Sequence, residues 1–157
     1  MPDDRVMSDE HVVVGSDLSA EQLHAILRLR IDVFVVEQEC AYPEIDGRDL
    51  EADTEHVWIE DDIGITAYIR LLADDGAIRI GRVVTRPDRR GEQLAARLIN
   101  STLERLGPID TRLEAQSHLV DYYRGFGYEP DGAEYVEDGI PHTPMLRPVP
   151  NLPADLR

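Results

Sequence analysis

The residues best suited to chemistry stand between Arg79 and Arg97, where six arginines face two acids, Asp88 and Glu92, for a local charge of +4. The 157-residue chain as a whole carries −16, which leaves −20 on the remainder. The segment runs from an apolar stretch, Ile80–Thr85, past Pro87, into a helix entered through Arg89-Arg90-Gly91. A strand-to-helix turn of this kind can hold an anion. The first N–H groups of a helix lack partners, and its N-terminus carries about half a positive charge. Arg90–Ala96 would present those N–H groups in series. Gly91 lets backbone approach a ligand closely, and Arg86, Arg89 and Arg90 add side-chain donors. A phosphate or pyrophosphate is the ligand this pattern predicts. The same arginines could instead do no more than balance Asp88, Glu92 and nearby acids; the residues alone leave both readings open.

A second group of side chains lies in the acidic stretch 41–55, AYPEIDGRDLEADTE, with His56 behind it. Asp46, Asp49, Asp53 and His56 are competent ligands for a divalent cation. Their spacing fits no defined metal loop, so no metal is expected, and an anionic wall that attracts an amine is the better use. Cys40 is the single cysteine, which excludes an intrachain disulfide and a thiolate metal site. No base or oxyanion site stands beside it in sequence, and it reads as structural.

Composition narrows the class further. All 16 basic residues are arginine, against 32 acids. Such a surface repels nucleic acid phosphates, so no nucleic acid partner is expected. It favours cationic small molecules or solubility at high salt. No apolar run approaches the roughly 18–20 residues of a membrane helix. The first residues, MPDDRVMSDE, lack the basic-then-apolar layout of a signal peptide. A soluble, cytoplasmic protein with no membrane partner is the expectation. Asn100-Ser101-Thr102 matches a glycosylation sequon, but its mid-helix position makes it a chance match.

The elements that must position these groups follow from periodicity. Residues 1–10 are polar and aperiodic and read as a disordered leader. His11–Val14 is a short strand. Ser19 and Gln22 form a capping box, followed by Leu23, Ile26, Leu27, Arg30, Ile31 and Phe34 at helical spacing. The helix should loosen around Val33–Val36, where β-branched residues accumulate. Strands are expected at Glu55–Glu60, Ile63–Leu72 and Ala77–Thr85, the last two joined by an Asp74-Asp75-Gly76 hairpin turn. Leu94, Ala95, Leu98, Ile99, Thr102, Leu103 and Leu106 form a helical stripe closed by Gly107-Pro108. A strand at Asp110–Ala115, a helix at Leu119–Phe126 stopped by Gly127, a strand from Tyr128, an Asp138-Gly139 turn and a last strand near His142–Arg147 complete the domain, residues 11–148. The proline-rich tail, 149–157, should be extended. The order is strand, helix, three strands, helix, strand, helix, two strands: an α+β chain whose βαβ crossover over residues 77–115 makes one strand pair parallel.

Arg90-Gly91-Glu92-Gln93-Leu94-Ala95, following a strand and Pro87, resembles the acetyl-CoA signature of the GNAT N-acetyltransferases, with Gln93 where that signature has its first glycine. Leu29–Gln38, Asp46-Gly47, Asp49, Ile80–Val83, Arg90–Glu92, Ala115–Leu119 and Glu137–His142 are similar to the ElaA-type branch of that superfamily. The element order matches the GNAT fold over about residues 12–148. The resemblance implies an α+β acyl-CoA N-acyltransferase fold: a mixed, mostly antiparallel sheet with a central, parallel, splayed strand pair flanked by helices.

It also implies roles. Val83, Val84 and Thr85 would pair with pantetheine, and Arg89, Arg90, Gly91, Glu92, Gln93, Leu94, Ala95 and Ala96 would surround the pyrophosphate of acetyl-CoA. Tyr123 matches the family tyrosine that protonates the departing thiolate; a phenol is protonated at neutral pH and suits the task. An ammonium acceptor must lose a proton, and the fourth strand offers Arg79 and Arg82 in place of the glutamate common in the family. Glu37, His56, Glu114, His118 and His142 are the candidate bases, with His118 and Glu37 favoured because they sit in resembling motifs at element ends. The expected reaction is direct acetyl transfer to a primary amine of a small molecule or peptide, in a ternary complex without metal. GNAT domains often form a homodimer. A non-catalytic acyl-CoA sensor on the same fold is the alternative, and a metal-dependent enzyme built on the acidic loop is a third reading.

Overall fold

The structure is a computed structural model that describes residues 10–149. Most of the predicted leader, 1–9, and of the tail, 150–157, lies outside the described residues. Glu10 does not belong to the leader: it opens strand β1 (Glu10–Val14). Helix α1 (Ala20–Arg30) begins at its capping box. The Ser19 hydroxyl accepts from the Gln22 N–H, and the Ser19 N–H donates to Gln22 Oε1, each at 3.0 Å. Beyond Arg30 the β-branched residues widen the helix into a π-helical stretch, Ile31–Glu37.

Strands β2 (Glu55–Glu60), β3 (Ile65–Asp74) and β4 (Ala77–Thr85) form an antiparallel meander with β1. Asp75 and Gly76 turn β3 into β4 with φ of 47° and 79°, the left-handed pair that a tight hairpin requires. Helix α2 (Leu94–Leu106) then crosses over, and β5 (Thr111–Gln116) returns parallel to β4. Helix α3 (Val120–Arg124) follows, shorter than expected at both ends: Leu119 belongs to a 3₁₀ turn, Ser117–Leu119, and the helix closes at Arg124 with Gly125 as its cap. The strand expected from Tyr128 is two pieces, β6 (Glu129–Pro130) and β7 (Tyr135–Glu137), both paired with β8 (Ile140–Arg147). Just past β6 the Asp131 N–H still donates to the Pro144 carbonyl at 2.8 Å, but Pro144 has no N–H to return the bond, and β6 goes no further.

The sheet order is β1-β2-β3-β4-β5-β8-β6, with β7 also on β8. Among the described residues only β4 and β5 are parallel, and they pair only at Ile78–Thr111 and Arg79–Arg112. Past that point they part. The register between β3 and β4 shifts between Tyr68 and Arg70, and on β4 Arg82 takes φ of 50°. A bulge of this kind bends its strand, which carries the C-terminal half of β4 away from β5.

Both faces of the sheet are covered. Val57, Ile59, Ile69, Leu71 and Ile80 face Leu98, Ile99 and Leu103 of α2, while Trp58, Tyr68 and Val84 face Ile26, Leu29 and Val33. Neighbouring strand residues point to opposite faces, so Val57 and Trp58 serve different cores. Residues 65–72 of β3 are buried throughout, as suits a strand covered on both sides.

The acidic loop is tied down by arginines. Arg30 donates to Glu44 Oε1 at 2.7 Å and to Asp49 Oδ1 at 2.6 Å. Arg70 holds Asp46 at 2.9 and 2.6 Å and reaches Asp49 at 3.0 Å. Arg82, turned by the bulge, donates to Glu44 Oε1 at 2.9 Å. Arg30, Arg70, Glu44 and Asp49 are all buried. His56 is buried too, with Nδ1 at 2.7 Å from the Tyr68 hydroxyl and Nε2 at 2.8 Å from the Asp49 carbonyl. Of the donors that the sequence offered to a cation, Asp46, Asp49 and His56 are therefore engaged with arginine, tyrosine and backbone, while Asp53 is exposed.

Candidate active site

The basic turn is largely neutralised by its own surroundings. Arg86 donates to Asp61 and Asp88, each at 2.6 Å. Arg89 donates to Asp61 at 2.8 Å and to Glu92 at 2.6 Å. Arg90 makes a two-point ion pair with Glu37, at 2.5 and 2.7 Å. Asp61 sits in the β2–β3 turn and Glu37 ends the π-helical stretch, so neither pairing could be read from local sequence. The side chains that looked available for an anion are spoken for, and the backbone remains.

That backbone is arranged as a cradle, though it starts later than expected. The Arg89 and Arg90 N–H groups turn back to the carbonyls of Arg86 and Pro87, at 2.9 and 3.5 Å. Helix α2 starts at Leu94, and its first helical bond runs from the Arg97 N–H to the Gln93 carbonyl at 3.0 Å. The N–H groups of Leu94, Ala95 and Ala96 thus have no acceptor within the helix. Gly91 has φ of 86° and Gln93, the N-cap, has φ of 60° and ψ of 28°. Two left-handed residues two positions apart bend the chain so that successive N–H groups converge. A cavity of about 180 Å³ opens there, lined by Thr85, Arg89–Gly91, Gln93–Ala96 and Tyr122. Glu92 is outside it, paired with Arg89.

A larger cavity of about 450 Å³ fills the gap where β4 leaves β5. Gly81, Arg82 and Val83 form one wall, Leu113, Glu114 and Gln116 another. The Arg86 N–H bonds the Thr66 carbonyl of β3 at 2.7 Å, and ladder bonds alternate along an antiparallel pair. Val84, which faces Tyr68 in register, therefore bonds to β3, while the main-chain groups of Val83 and Thr85 point toward the vacated β5 side. Of the three residues expected to meet pantetheine, two present main chain to the gap. Val84 instead buries its side chain under α1.

Helix α3 joins the two cavities. Tyr122 lines the smaller one and Tyr123 the larger. Tyr123 is only 7% exposed and makes no hydrogen bond among the described residues; its ring packs edge-on against Tyr122 and Tyr128. Burial pushes its phenol well above the usual tyrosine value, so it stays a proton donor.

The candidate bases separate clearly. His118 is exposed and lines neither cavity. Glu37 also lines neither, and the Arg90 guanidinium holds its carboxyl below the ordinary value, which weakens it as a base. His56 is driven down by burial, and both ring nitrogens are occupied. Glu114 lines the larger cavity but accepts from Arg79 at 2.7 Å and from Tyr135 at 3.0 Å. His142 lines that cavity, half-buried, stacked on Tyr135, with Nδ1 2.8 Å from the Ile140 carbonyl. Donation from Nδ1 leaves Nε2 as the basic nitrogen of the neutral ring. Sequence reasoning named His142 without preferring it. Its advantage comes from the β7–β8 hairpin, which sequence does not place over the strand gap.

A parallel strand pair that parts over a cavity, next to a helix N-terminus with free N–H groups, defines the acyl-CoA N-acyltransferase fold. The chain belongs to the GNAT acetyltransferase family: the acetyltransferase (GNAT) domain model matches residues 13–147. The crystal structure of an acyl-CoA N-acyltransferase from Pseudomonas aeruginosa superposes with a TM-score of 0.84 at 41% identity, covering 88% of this chain and 98% of that one. Escherichia coli ElaA superposes with a TM-score of 0.82 at 39% identity and the same coverage. In sequence, ElaA is 43% identical over 145 residues, 85% of this chain and 92% of the relative. A UPF0039 protein of Mycobacterium tuberculosis is 45% identical over 141 residues, 87% of this chain and 90% of the relative. No helix among the described residues is long and apolar enough to cross a membrane.

Proposed function

We propose that the chain transfers the acetyl group of acetyl-CoA to a primary amine by direct attack within a ternary complex. The observation that carries this is the pairing of the two cavities. Thr85 and Tyr122 line the one at the helix N-terminus, and Val83 and Tyr123 line the one in the strand gap. An extended ligand with a diphosphate at one end and a thioester at the other fits that layout. The free N–H groups from Gly91 to Ala96 suit the diphosphate, and the outward main chain of Val83 and Thr85 suits an amide-bearing arm. When bound, acetyl-CoA supplies an activated acyl carbon.

The residues then divide the work. The cavity excludes bulk water and orients the amine. The amine nitrogen bonds to the acyl carbon as the carbon–sulfur bond breaks, the Tyr123 hydroxyl donates its proton to the departing sulfur, and the proton that the nitrogen sheds as the amide forms restores the phenol. The proton that the ammonium must shed goes to His142 Nε2. Glu37 serves to hold Arg90 at the cradle, and His118 stands too far out to touch the acceptor.

Acetyl-CoA at saturating concentration should raise the melting temperature, and thiol release should follow addition of an amine. Tyr123→Phe should lower kcat by about 10²–10⁴ while the acetyl-CoA-induced shift stays unchanged. No thermal shift with acetyl-CoA would overturn the reading. A shift without thiol release toward any amine would make the chain a sensor of acyl-CoA.

A further inference from the structure

We infer that Tyr135 is a positioning residue: its ring sets the plane of the His142 imidazole and so aims Nε2 at the acceptor amine. This rests on the acetyl transfer proposed above. His142 is held at one ring atom by its own strand, where Nδ1 lies 2.8 Å from the Ile140 carbonyl. The outer torsion of a histidine is broad, so one hydrogen bond leaves the ring free to rock about that atom. The Tyr135 ring removes this freedom. Tyr135 of β7 and His142 of β8 are directly opposed in register, so their side chains share one face of the sheet. Their rings stack with centroids 5.6 Å apart and planes 19° from parallel.

Tyr135 is itself tethered. It is 36% exposed, too open for packing alone to hold it, but its hydroxyl donates to Glu114 Oε2 at 3.0 Å. The other Glu114 oxygen accepts from Arg79 at 2.7 Å. Arg79 is the last residue of β4 that pairs with β5, so this clamp closes where the two strands begin to part. Contacts thus run from Arg79 of β4 through Glu114 of β5 and Tyr135 of β7 to His142 of β8. Glu114 and His142 line the larger cavity and Tyr135 does not; it acts through the base. The same layout gives Glu114 a part. Both its oxygens are committed, to Arg79 and to Tyr135, and it holds the tyrosine in place of accepting the amine's proton. The other titratable and charged side chains around His142 are Glu137 and Asp138 at the end of the hairpin and, across the cavity, Cys40, Tyr42, Asp46, Arg82 and Tyr123.

The test measures kcat by thiol release, using the full chain, saturating acetyl-CoA and whichever primary alkylamine gives the most release in a screen. Tyr135→Leu removes both ring and tether and should lower kcat about tenfold or more, with the acetyl-CoA-induced thermal shift unchanged. Tyr135→Phe keeps the ring, loses only the hydroxyl, and should recover most of that loss. Two readouts separate positioning from a damaged fold. In a His142→Gln background Tyr135→Leu should cost little more, because residues that act as a unit are non-additive. The loss in Tyr135→Leu should also shrink as pH rises toward the amine's pKa, about 10, where the amine arrives deprotonated and needs no base. An unchanged kcat in Tyr135→Leu, a loss equal with and without His142, or one that persists at high pH would overturn the inference and leave acetyl transfer standing. If no amine turns over, acetyl transfer itself falls, and NMR of the His142 ring decides whether Tyr135 holds it. Carbon-bound ring protons displaced by the Tyr135 ring current, and returned to free-histidine positions in Tyr135→Leu, would uphold the contact; lines that do not move would overturn it.

Discussion

Gln93 shows how one residue can depart from a pattern and still meet its backbone demand. Its φ of 60° is a left-handed value that costs a non-glycine residue roughly 1–2 kcal/mol, and the family signature places glycine there. Gln93→Gly removes that strain but adds the entropy of glycine, about 0.5–1 kcal/mol. The net expected by chemical denaturation is a gain of about 0.5–1 kcal/mol, with acetyl-CoA bound no more weakly. A loss of stability would mean that the left-handed turn is not the relaxed backbone shape here. Glu37 offers a sharper contrast between two roles. Its carboxylate occupies the guanidinium of Arg90, so Glu37→Gln should leave the pH profile of kcat in place and change acetyl-CoA affinity only modestly, toward tighter binding. A collapse of kcat with loss of the acidic limb would instead make Glu37 the base.

At the scale of elements, α2 does two jobs that pull on different faces. Its N-terminus forms the cradle, while Leu98, Ile99, Thr102 and Leu103 anchor it to the sheet. Thr102 is buried, and its hydroxyl has no hydrogen-bond partner among the described residues. Burying an unpaired hydroxyl costs about 1–3 kcal/mol, and valine has nearly the same shape. Thr102→Val should therefore raise the melting temperature without touching acetyl-CoA binding; a lowered melting temperature would reveal a partner for the hydroxyl. The bulge in β4 is the other decisive element. It opens the strand gap and at the same time turns Arg82 to Glu44, so the site's opening and the loop's anchoring share one backbone irregularity.

For the molecule as a whole, the buried arginine–carboxylate network joins α1, β3, β4 and the loop 41–54. Burial alone would raise the Asp49 carboxyl, but hydrogen bonds and charge from Arg30 and Arg70 outweigh it and hold Asp49 below the usual range. Asp46 is lowered by the same balance, chiefly through Arg70. Carboxyls depressed in the folded state stabilise it fully above their unfolded pKa, about 3.9, and that stability is lost as pH falls toward their folded values. Melting temperature should accordingly drop steeply below about pH 4. Asp49→Asn leaves buried guanidinium charge uncompensated and should cost about 3 kcal/mol at neutral pH, with a shallower acid slope. An unchanged acid slope would place the pH dependence elsewhere.

Much of this was legible in the chain. The capping box at Ser19, the Asp-Gly hairpin turns, the α2 stripe and the crossover were local patterns, and local chemistry determines them. The long loop was less legible, because its acids meet arginines 14 to 38 positions away in sequence, and charge pairing at such range leaves no periodic trace. The bases were least legible. Glu37, His118 and His142 looked equivalent as residue types in motifs, and only packing separates them: one bound to Arg90, one in solvent, one on the cavity wall. By itself the sequence determined a basic strand-to-helix turn, with the anion-binding potential that every such turn carries. The tertiary structure decided that its arginines are neutralised by Asp61, Glu37 and local acids, and that the backbone N–H groups beyond Gly91 are what an anion meets. The physical reason is that backbone donors are set by local dihedral angles, whereas the partner of a long charged side chain depends on whatever the fold brings within reach.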